Sequence, residues 1–173
     1  HAAWPQVGIE LVTGTSCALA AKVRNYEIEA AFVAQPFPAD GLAAIDAFKE
    51  ELTLISPLAW GAITSARDLG DRTVIAFAAG CSYRRILESW LNHEGLAPGR
   101  VMEFASYHAI VACVAAGSGV AIVPRSVLAV LGAEHSVCVS ALSGPYAHAQ
   151  TQLVWRADDD TPALQALRQQ LVA

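Results

Sequence analysis

The sequence predicts an α/β fold, because short apolar segments typical of strands alternate with segments of helical periodicity along its 173 residues. Residues 73–77 (TVIAF) form a continuous apolar run, which is typical of a strand buried on both faces of a sheet. Residues 83–91 (YRRILESWL) instead place their apolar side chains at the spacing of one helix face. Glycine or proline stands at most changes from one pattern to the other, so the connections should be short.

The first part of the chain predicts a strand, a helix and a second strand. Residues 7–12 (VGIELV) alternate weakly and end at a threonine and a glycine, as a strand would. Thr15 or Ser16 supplies the hydroxyl that caps the following helix, and residues 30–34 (AAFVA) predict the next strand. A strand–helix–strand unit with such short connections predicts a parallel pair of strands.

The same alternation continues to the end of the chain. Further strands are predicted at residues 51–55, 73–77, 101–104, 120–123, 136–140 and 151–156. Further helices are predicted after Cys81-Ser82, after Ser106, with Pro124 in the first turn, and after Thr161-Pro162. Gly117 closes the helix that follows Ser106, and the next residues lead directly into a buried strand. The sequence therefore predicts one α/β domain or two small lobes.

Composition and charge argue against several classes of protein. The formal net charge is −5 and the 11 basic residues are scattered, so these residues are not expected to bind DNA themselves. No apolar run is long enough to span a bilayer, and the first residues do not read as a signal peptide. Dispersed cysteines without a CxxC pair, and histidines without metal-ligand spacing, predict a cytoplasmic protein with no metal and no cofactor. Because the chain begins without methionine, we expect a fragment of a longer protein.

Five segments, in order, resemble the effector-binding domain of the LysR-type transcriptional regulators. They are PQVGIELVTGTS, IEAAFVAQP, EELTLISP, ACVAAGSGVAIVPRSVL and LVWRADDDTPALQALRQQL, and together they extend over nearly the whole chain. The fourth segment carries the most recognisable pattern, an Ala-Ala-Gly-x-Gly turn that leads into a strand and a Pro-Arg pair. Glu29 departs from the pattern, because the family tends to have an aspartate at that position.

The resemblance implies a fold like that of type 2 periplasmic binding proteins, in which two Rossmann-like lobes are joined by two crossover strands. On this sequence, lobe one comprises residues 1–57 and 136–173, and lobe two comprises residues 58–135. The family's first strand and helix of lobe one, and its N-terminal helix-turn-helix domain, have no counterpart here. The resemblance also implies a homodimer, or a tetramer of two dimers, that binds DNA only through the helix-turn-helix domain.

In such a fold, ligands bind between the lobes, where free amides at helix N-termini favour an anion. The implied partner is a small-molecule effector, with carboxylates and other anions among the options. The residues expected to contact it are Gly14, Thr15, Ser16 and Gln35 of lobe one, and Gly80, Cys81, Ser82, Tyr83 and Ser106 of lobe two. From spacing alone, Thr15, Ser82 and Ser106 are expected to be ordinary helix caps, and Tyr83 a core residue; ligand contact is what the resemblance adds.

Three functions remain open at this point. The first is the ligand-sensing domain of a transcriptional regulator, and the second is a solute-binding protein for uptake of a small anion. The third, an enzyme, is not expected, because no Ser-His-Asp order or phosphate-binding loop is present. Cys81 raises a further hypothesis, since a helix N-terminus should lower the pKa of its thiol and make it a sensor of oxidants or electrophiles.

Overall fold

The computed structural model describes residues 4–172. Within that range the strands are β1 (Ala30–Ala34), β2 (Leu42–Ser56), β3 (Val74–Ala76), β4 (Val101–Glu103), β5 (Ala121–Pro124), β6 (Cys138–Ala141) and β7 (His148–Arg156). The α-helices are α1 (Ser16–Arg24), α2 (Ser82–His93), α3 (Tyr107–Ala115), α4 (Arg125–Leu131) and α5 (Pro162–Val172). Short 3-10 helices cover Leu58–Trp60, Ala66–Leu69 and Gly144–Tyr146. Of the helices described, none combines the length and apolar character that crossing a membrane requires.

The long strand β2 connects the two parts of the main sheet. Its first part, from Leu42 to Glu51, pairs antiparallel with β7, and its last part, from Leu52 to Ser56, pairs antiparallel with β5 and β6. β1 lies at the edge of the sheet and pairs with β7. β3 and β4 form a parallel pair, which is joined to the start of β5 through a bridge between Val74 and Val120.

Helices α1 and α5 cover opposite faces of the sheet formed by β1, β7 and the first part of β2. Leu19 and Val23 of α1 pack with Val154 of β7 in one buried cluster. Leu164 of α5 packs with Leu153 in another. The adjacent residues Leu153 and Val154 of β7 therefore point to opposite faces of the sheet, as side chains alternate along a strand.

The last part of β2, together with β3 and β5, is also covered on both faces. Leu87 and Trp90 of α2 share a buried cluster with Leu54. Ile110 of α3 shares a second cluster with Ile55, the next residue of β2, on the other face. The two continuously apolar runs of the sequence, around β3 and β5, are thus confirmed as strands buried on both faces.

The glycine turn between α3 and β5 has two separate structural roles. Gly117 ends α3 with a positive φ of 90°, which confirms the predicted helix end. Gly119 lies against the backbone of the residue before β3, where a Cβ atom would overlap the carbonyl oxygen of Thr73. This close approach lets the amide of Val120 donate to the same oxygen at 3.0 Å, while the amide of Ile75 donates to the Val120 carbonyl at 2.7 Å.

Four predictions about the strands and helices are wrong. Residues 7–12 form no strand, and the side chains of Ile9 and Leu11 are 68% and 85% exposed. The predicted parallel pair is consequently absent from the described residues, because β1 pairs with β7 and runs antiparallel to it. β2 begins nine residues before the predicted position 51, because β7 supplies hydrogen-bond partners to a segment of low β propensity. Pro124 ends β5 and precedes α4 instead of lying in its first turn.

Candidate ligand site

The N-termini of α1 and α2 meet, and this contact brings together residues that were predicted in both lobes. Thr15 caps α1, where its Oγ1 accepts a hydrogen bond from the amide of Ala18 at 3.3 Å. The amide of Cys17 donates to the carbonyl oxygen of Gly80 at 3.3 Å. Gly80 has a φ of 93°, and a Cβ atom there would lie 3.1 Å from Thr15 Oγ1. We call this contact between α1 and α2 the junction.

Ser82 ties α2 to the end of β1. Its hydroxyl lies within hydrogen-bond distance of the carbonyl oxygens of Ala34 and Pro36, and the residue is 1% exposed. The prediction that Ser82 caps its helix is wrong, because Cys81 occupies the cap position and Ser82 is the first helical residue. Since its single proton is already donated to the backbone, Ser82 stabilises the contact between α2 and β1.

The environment of Cys81 contradicts the expectation of an acidic thiol. Burial raises the pKa of the Cys81 thiol, and it outweighs the opposing effect of the Arg84 and Tyr83 amides at the helix N-terminus. The thiol of Cys81 is therefore protonated at neutral pH, where a helix terminus alone would favour the thiolate. Cys17 contributes a second free thiol from the α1 side of the junction.

A polar group centred on Glu50 adjoins the junction. The hydroxyl of Tyr83 donates to Glu50 Oε2, and the Thr151 hydroxyl lies 3.5 Å from the same oxygen. Burial, together with donation to Glu50, raises the pKa of Tyr83 above its usual range, so this phenol stays protonated. Burial likewise raises the pKa of Tyr107, and the neighbouring Cys81 and Glu50 raise it further. We call Glu50, Tyr83, Tyr107 and Thr151 the Glu50 group.

Sequence reasoning named only Tyr83 of the Glu50 group as a ligand contact. Glu50 stands in a charged stretch ahead of an apolar run, and Thr151 opens a predicted strand, so neither carries a local signal of a site. Tyr107 follows a capping serine and reads as a core residue of α3, where its ring also packs edge-on against Phe77 at 4.8 Å. Only the meeting of α2, α3, β2 and β7 brings these side chains together.

The other four predicted residues lie at or next to the ends of α1, α3 and β1. Ser106 caps α3, where its hydroxyl accepts from the amide of Ala109 at 3.2 Å. Ser16 is the first residue of α1, and a Cβ atom at Gly14 would face the side chain of the buried Leu19 at 3.5 Å. The backbone N–H of Gln35, which follows β1, donates to the backbone carbonyl oxygen of Gln150 at 2.8 Å. Ligand contact by each of these residues stays a prediction.

An open cavity of about 320 Å³ lies beside Gln35, between the end of β1, the start of β7 and α2. Its lining includes Gln35, Lys49, Ile86, Pro145, His148 and Gln150. Gln35 is the one predicted ligand residue in its lining. Within residues 4–172, no three His, Cys, Asp or Glu side chains are arranged to hold a metal ion.

Comparison with known proteins identifies the family. The whole chain, residues 1–173, matches the family model of the LysR substrate binding domain. The chain is 35% identical over 164 residues to the HTH-type transcriptional regulator GltR of Bacillus subtilis (strain 168), a match that covers 94% of this chain and 55% of GltR. The chain therefore belongs to the LysR substrate-binding domain family, as the resemblance of its segments predicted. It spans about half the length of the curated relatives it matches.

Solved structures confirm the predicted fold. The regulatory domain of CcmR from Synechocystis PCC6803, in complex with 2-PG, superimposes with a TM-score of 0.82 at 19% identity, covering 98% of this chain and 84% of that one. The effector binding domain of QuiR, in complex with shikimate, gives a TM-score of 0.74 at 20% identity, covering 90% and 76%. The chain has the fold of these regulatory domains, which is the predicted fold like that of type 2 periplasmic binding proteins.

Proposed function

We propose that this chain is the effector-sensing part of a LysR-type transcriptional regulator and has no enzymatic activity. A small molecule binds at the junction and changes how the two lobes are arranged. A helix-turn-helix domain elsewhere in the protein converts that change into altered DNA binding. The family match over the whole chain carries this proposal, and the convergence of α1 and α2 supports its location. Such coupling requires two states of the protein with different effector affinity.

The division into lobes, residues 1–57 with 136–173 and residues 58–135, is part of the proposal. It is supported by the pairing of β2, whose last residues run beside β6 where the chain returns. It is also supported by the core, because the clusters under α1 and α5 consist of residues from the first lobe. The exposed apolar side chains of Ile9, Leu11 and Val12 and the position of β1 at the edge of the sheet support the expected additional strand in that lobe.

The anionic part of the effector should bind at the N-terminus of α2. The first turn of any α-helix leaves amides without an intrahelical acceptor. In α1 the amides of Cys17 and Ala18 already donate to Gly80 and Thr15. In α2 the amides of Ser82, Tyr83 and Arg84 donate to no backbone carbonyl, and those of Tyr83 and Arg84 face the Cys81 thiol, a weak acceptor. The partial positive charge of these amides and the helix dipole therefore favour a carboxylate or phosphate. The shikimate bound by QuiR is a ligand of this class.

Thermal unfolding in the presence of carboxylates, amino acids and inorganic anions tests the proposal. A ligand at a hundred times its Kd stabilises by about 2.7 kcal/mol, which raises Tm by roughly 5–10 °C for a chain of this size. Thr15→Val should abolish that shift. Thr161→Val is the matched control, because Thr161 also accepts a capping bond, from the amide of Leu164, but caps α5 away from the junction. Equal ligand shifts in both variants would contradict the proposed site.

Assembly and location complete the proposal. The protein is a homodimer, in which a helix of one lobe packs against a strand of the other lobe in its partner, and two dimers can form a tetramer. The family resemblance supports this arrangement. The four cysteines, all present as free thiols, support a cytoplasmic location. Sedimentation of the full-length protein would show its assembly state directly.

A further inference from the structure

The carboxylate of Glu50 lies where three elements meet. β2 carries Glu50, α2 contributes Tyr83, whose hydroxyl donates to Oε2, and β7 contributes Thr151, 3.5 Å from the same oxygen. Oε1 accepts no hydrogen bond from any residue in the described range. Since no buried side-chain oxygen or nitrogen in that range lacks a partner, Oε1 is open to solvent. Glu50 therefore presents one free carboxylate oxygen beside the junction.

No cationic side chain in the described part of the chain neutralises Glu50. It forms no salt bridge there, and Arg84, the cation on the adjoining turn of α2, is already paired with Glu88 and Glu103 at 2.8 Å each. Lys49 precedes Glu50 on β2, so its side chain points to the other face of the strand. Tyr83 and Tyr107 are neutral donors. The Glu50 group therefore carries a negative charge in a partly buried place, where charge pairs are stronger than in water.

We propose that the effector of this domain carries a protonated nitrogen that binds Oε1 of Glu50, while its anionic group binds the amides of α2. The inference rests on the proposed function, because it names the chemical class of the ligand at that same site. The class is a small zwitterion, of which an α-amino acid is the simplest example.

Matched pairs of compounds test this in the unaltered chain. Each of the twenty L-amino acids is titrated beside its analogue without the amino group, such as leucine beside 4-methylpentanoate and glutamate beside glutarate. We expect at least one amino acid to bind at least tenfold more tightly than its analogue, a difference of about 1.4 kcal/mol. If the compounds that bind are all ones without the nitrogen, the inference is overturned and the proposed function stands. If no compound of either kind binds, the inference is overturned, and the thermal unfolding panel with inorganic anions and other carboxylates decides the proposed function separately.

Two variants locate the effect. Glu50→Gln removes the charge but keeps an acceptor for Tyr83. It should raise the Kd of the amino acid at least tenfold and change the Kd of the analogue by less than twofold. Glu51→Gln is the control, because Glu51 lies on the other face of β2, is 53% exposed and pairs with Arg125 at 3.3 Å. Unchanged affinity in Glu50→Gln would overturn the inference. If Glu50→Gln does not fold, as circular dichroism would show, the paired titrations of the unaltered chain decide.

Discussion

Residues 7–12 (VGIELV) and residues 119–124 (GVAIVP) are both short apolar segments that contain a glycine, yet they have opposite fates in the structure. The second segment contains β5, which pairs with β2 on one side, while Val120 joins β3 on the other. The first segment pairs with no strand in the described range, and its residues Ile9, Leu11 and Val12 are exposed. An alternating apolar pattern therefore indicates only that a segment can form a strand. The strand forms where neighbouring strands supply hydrogen bonds and helices cover its apolar side chains.

The largest expected difference between the two segments comes from removing the same side chain in each. Ile122→Ala should lower the free energy of unfolding by about 3–4 kcal/mol, because Ile122 is 6% exposed in the cluster that α2 covers. Ile9→Ala should change it by less than about 0.5 kcal/mol, because Ile9 is 68% exposed. Urea denaturation of both variants measures the difference. A large loss in Ile9→Ala would show that residues 7–12 are packed in solution.

A somewhat smaller difference is expected from adding a methyl group to each glycine. Gly119→Ala should cost about 2–3 kcal/mol, because its Cβ would overlap the Thr73 carbonyl and force β5 away from β3. At Gly8 a Cβ meets nothing within 4 Å, so Gly8→Ala should be neutral or slightly stabilising. Midpoints of urea denaturation compare the two. Equal midpoints would mean that the approach of Gly119 to Thr73 relaxes without cost.

Hydrogen exchange compares the two segments without any substitution. The amides of the buried residues Ile75 and Val120 donate to backbone oxygens at 2.7 and 3.0 Å and should exchange only on extensive unfolding. The amides of Ile9 and Leu11 make no backbone hydrogen bond in the described range and should exchange at nearly the rate of an unfolded peptide. Exchange is carried out on the folded chain, and mass spectrometry of its peptic peptides separates the segment with Ile9 and Leu11 from the segments with Ile75 and Val120. Slow exchange of the Ile9 amide would contradict the conclusion that residues 7–12 form no hydrogen-bonded structure.

The sequence predicted features that depend on nearby residues. Thr15 and Ser106 cap their helices as expected, because the hydroxyl and the amide it accepts from are three residues apart. The first part of β2 was missed, because AAIDAFKE contains residues that favour helices, and its strand depends on β7, about a hundred residues away. The fold class was predictable because the order of the segments resembles one family.

The candidate site was less predictable than the fold, for a similar reason. Thr15 and Gly80 were named separately, and the structure brings them into contact across the junction. Glu50 was not named, because its partner Tyr83 is 33 residues away and nothing in the local sequence links them. The pKa of the Cys81 thiol was expected to fall, since only the helix terminus was considered. Burial, which no single segment reveals, reverses the direction.

The continuity of β2 limits how the parts of the molecule can move. One strand, β2, is hydrogen-bonded to β7 in its first part and to β5 in its last part. β7 and β5 therefore cannot slide relative to each other along β2 without breaking hydrogen bonds. Relative motion is then a bend or twist of β2 near residue 51, where the partners change. From there to Leu42 the strand extends about 30 Å, so a bend of about 10° displaces its far end by about 5 Å. Glu50 lies next to the point where the partners of β2 change, so a small change of backbone angle there is amplified into a large displacement at Leu42.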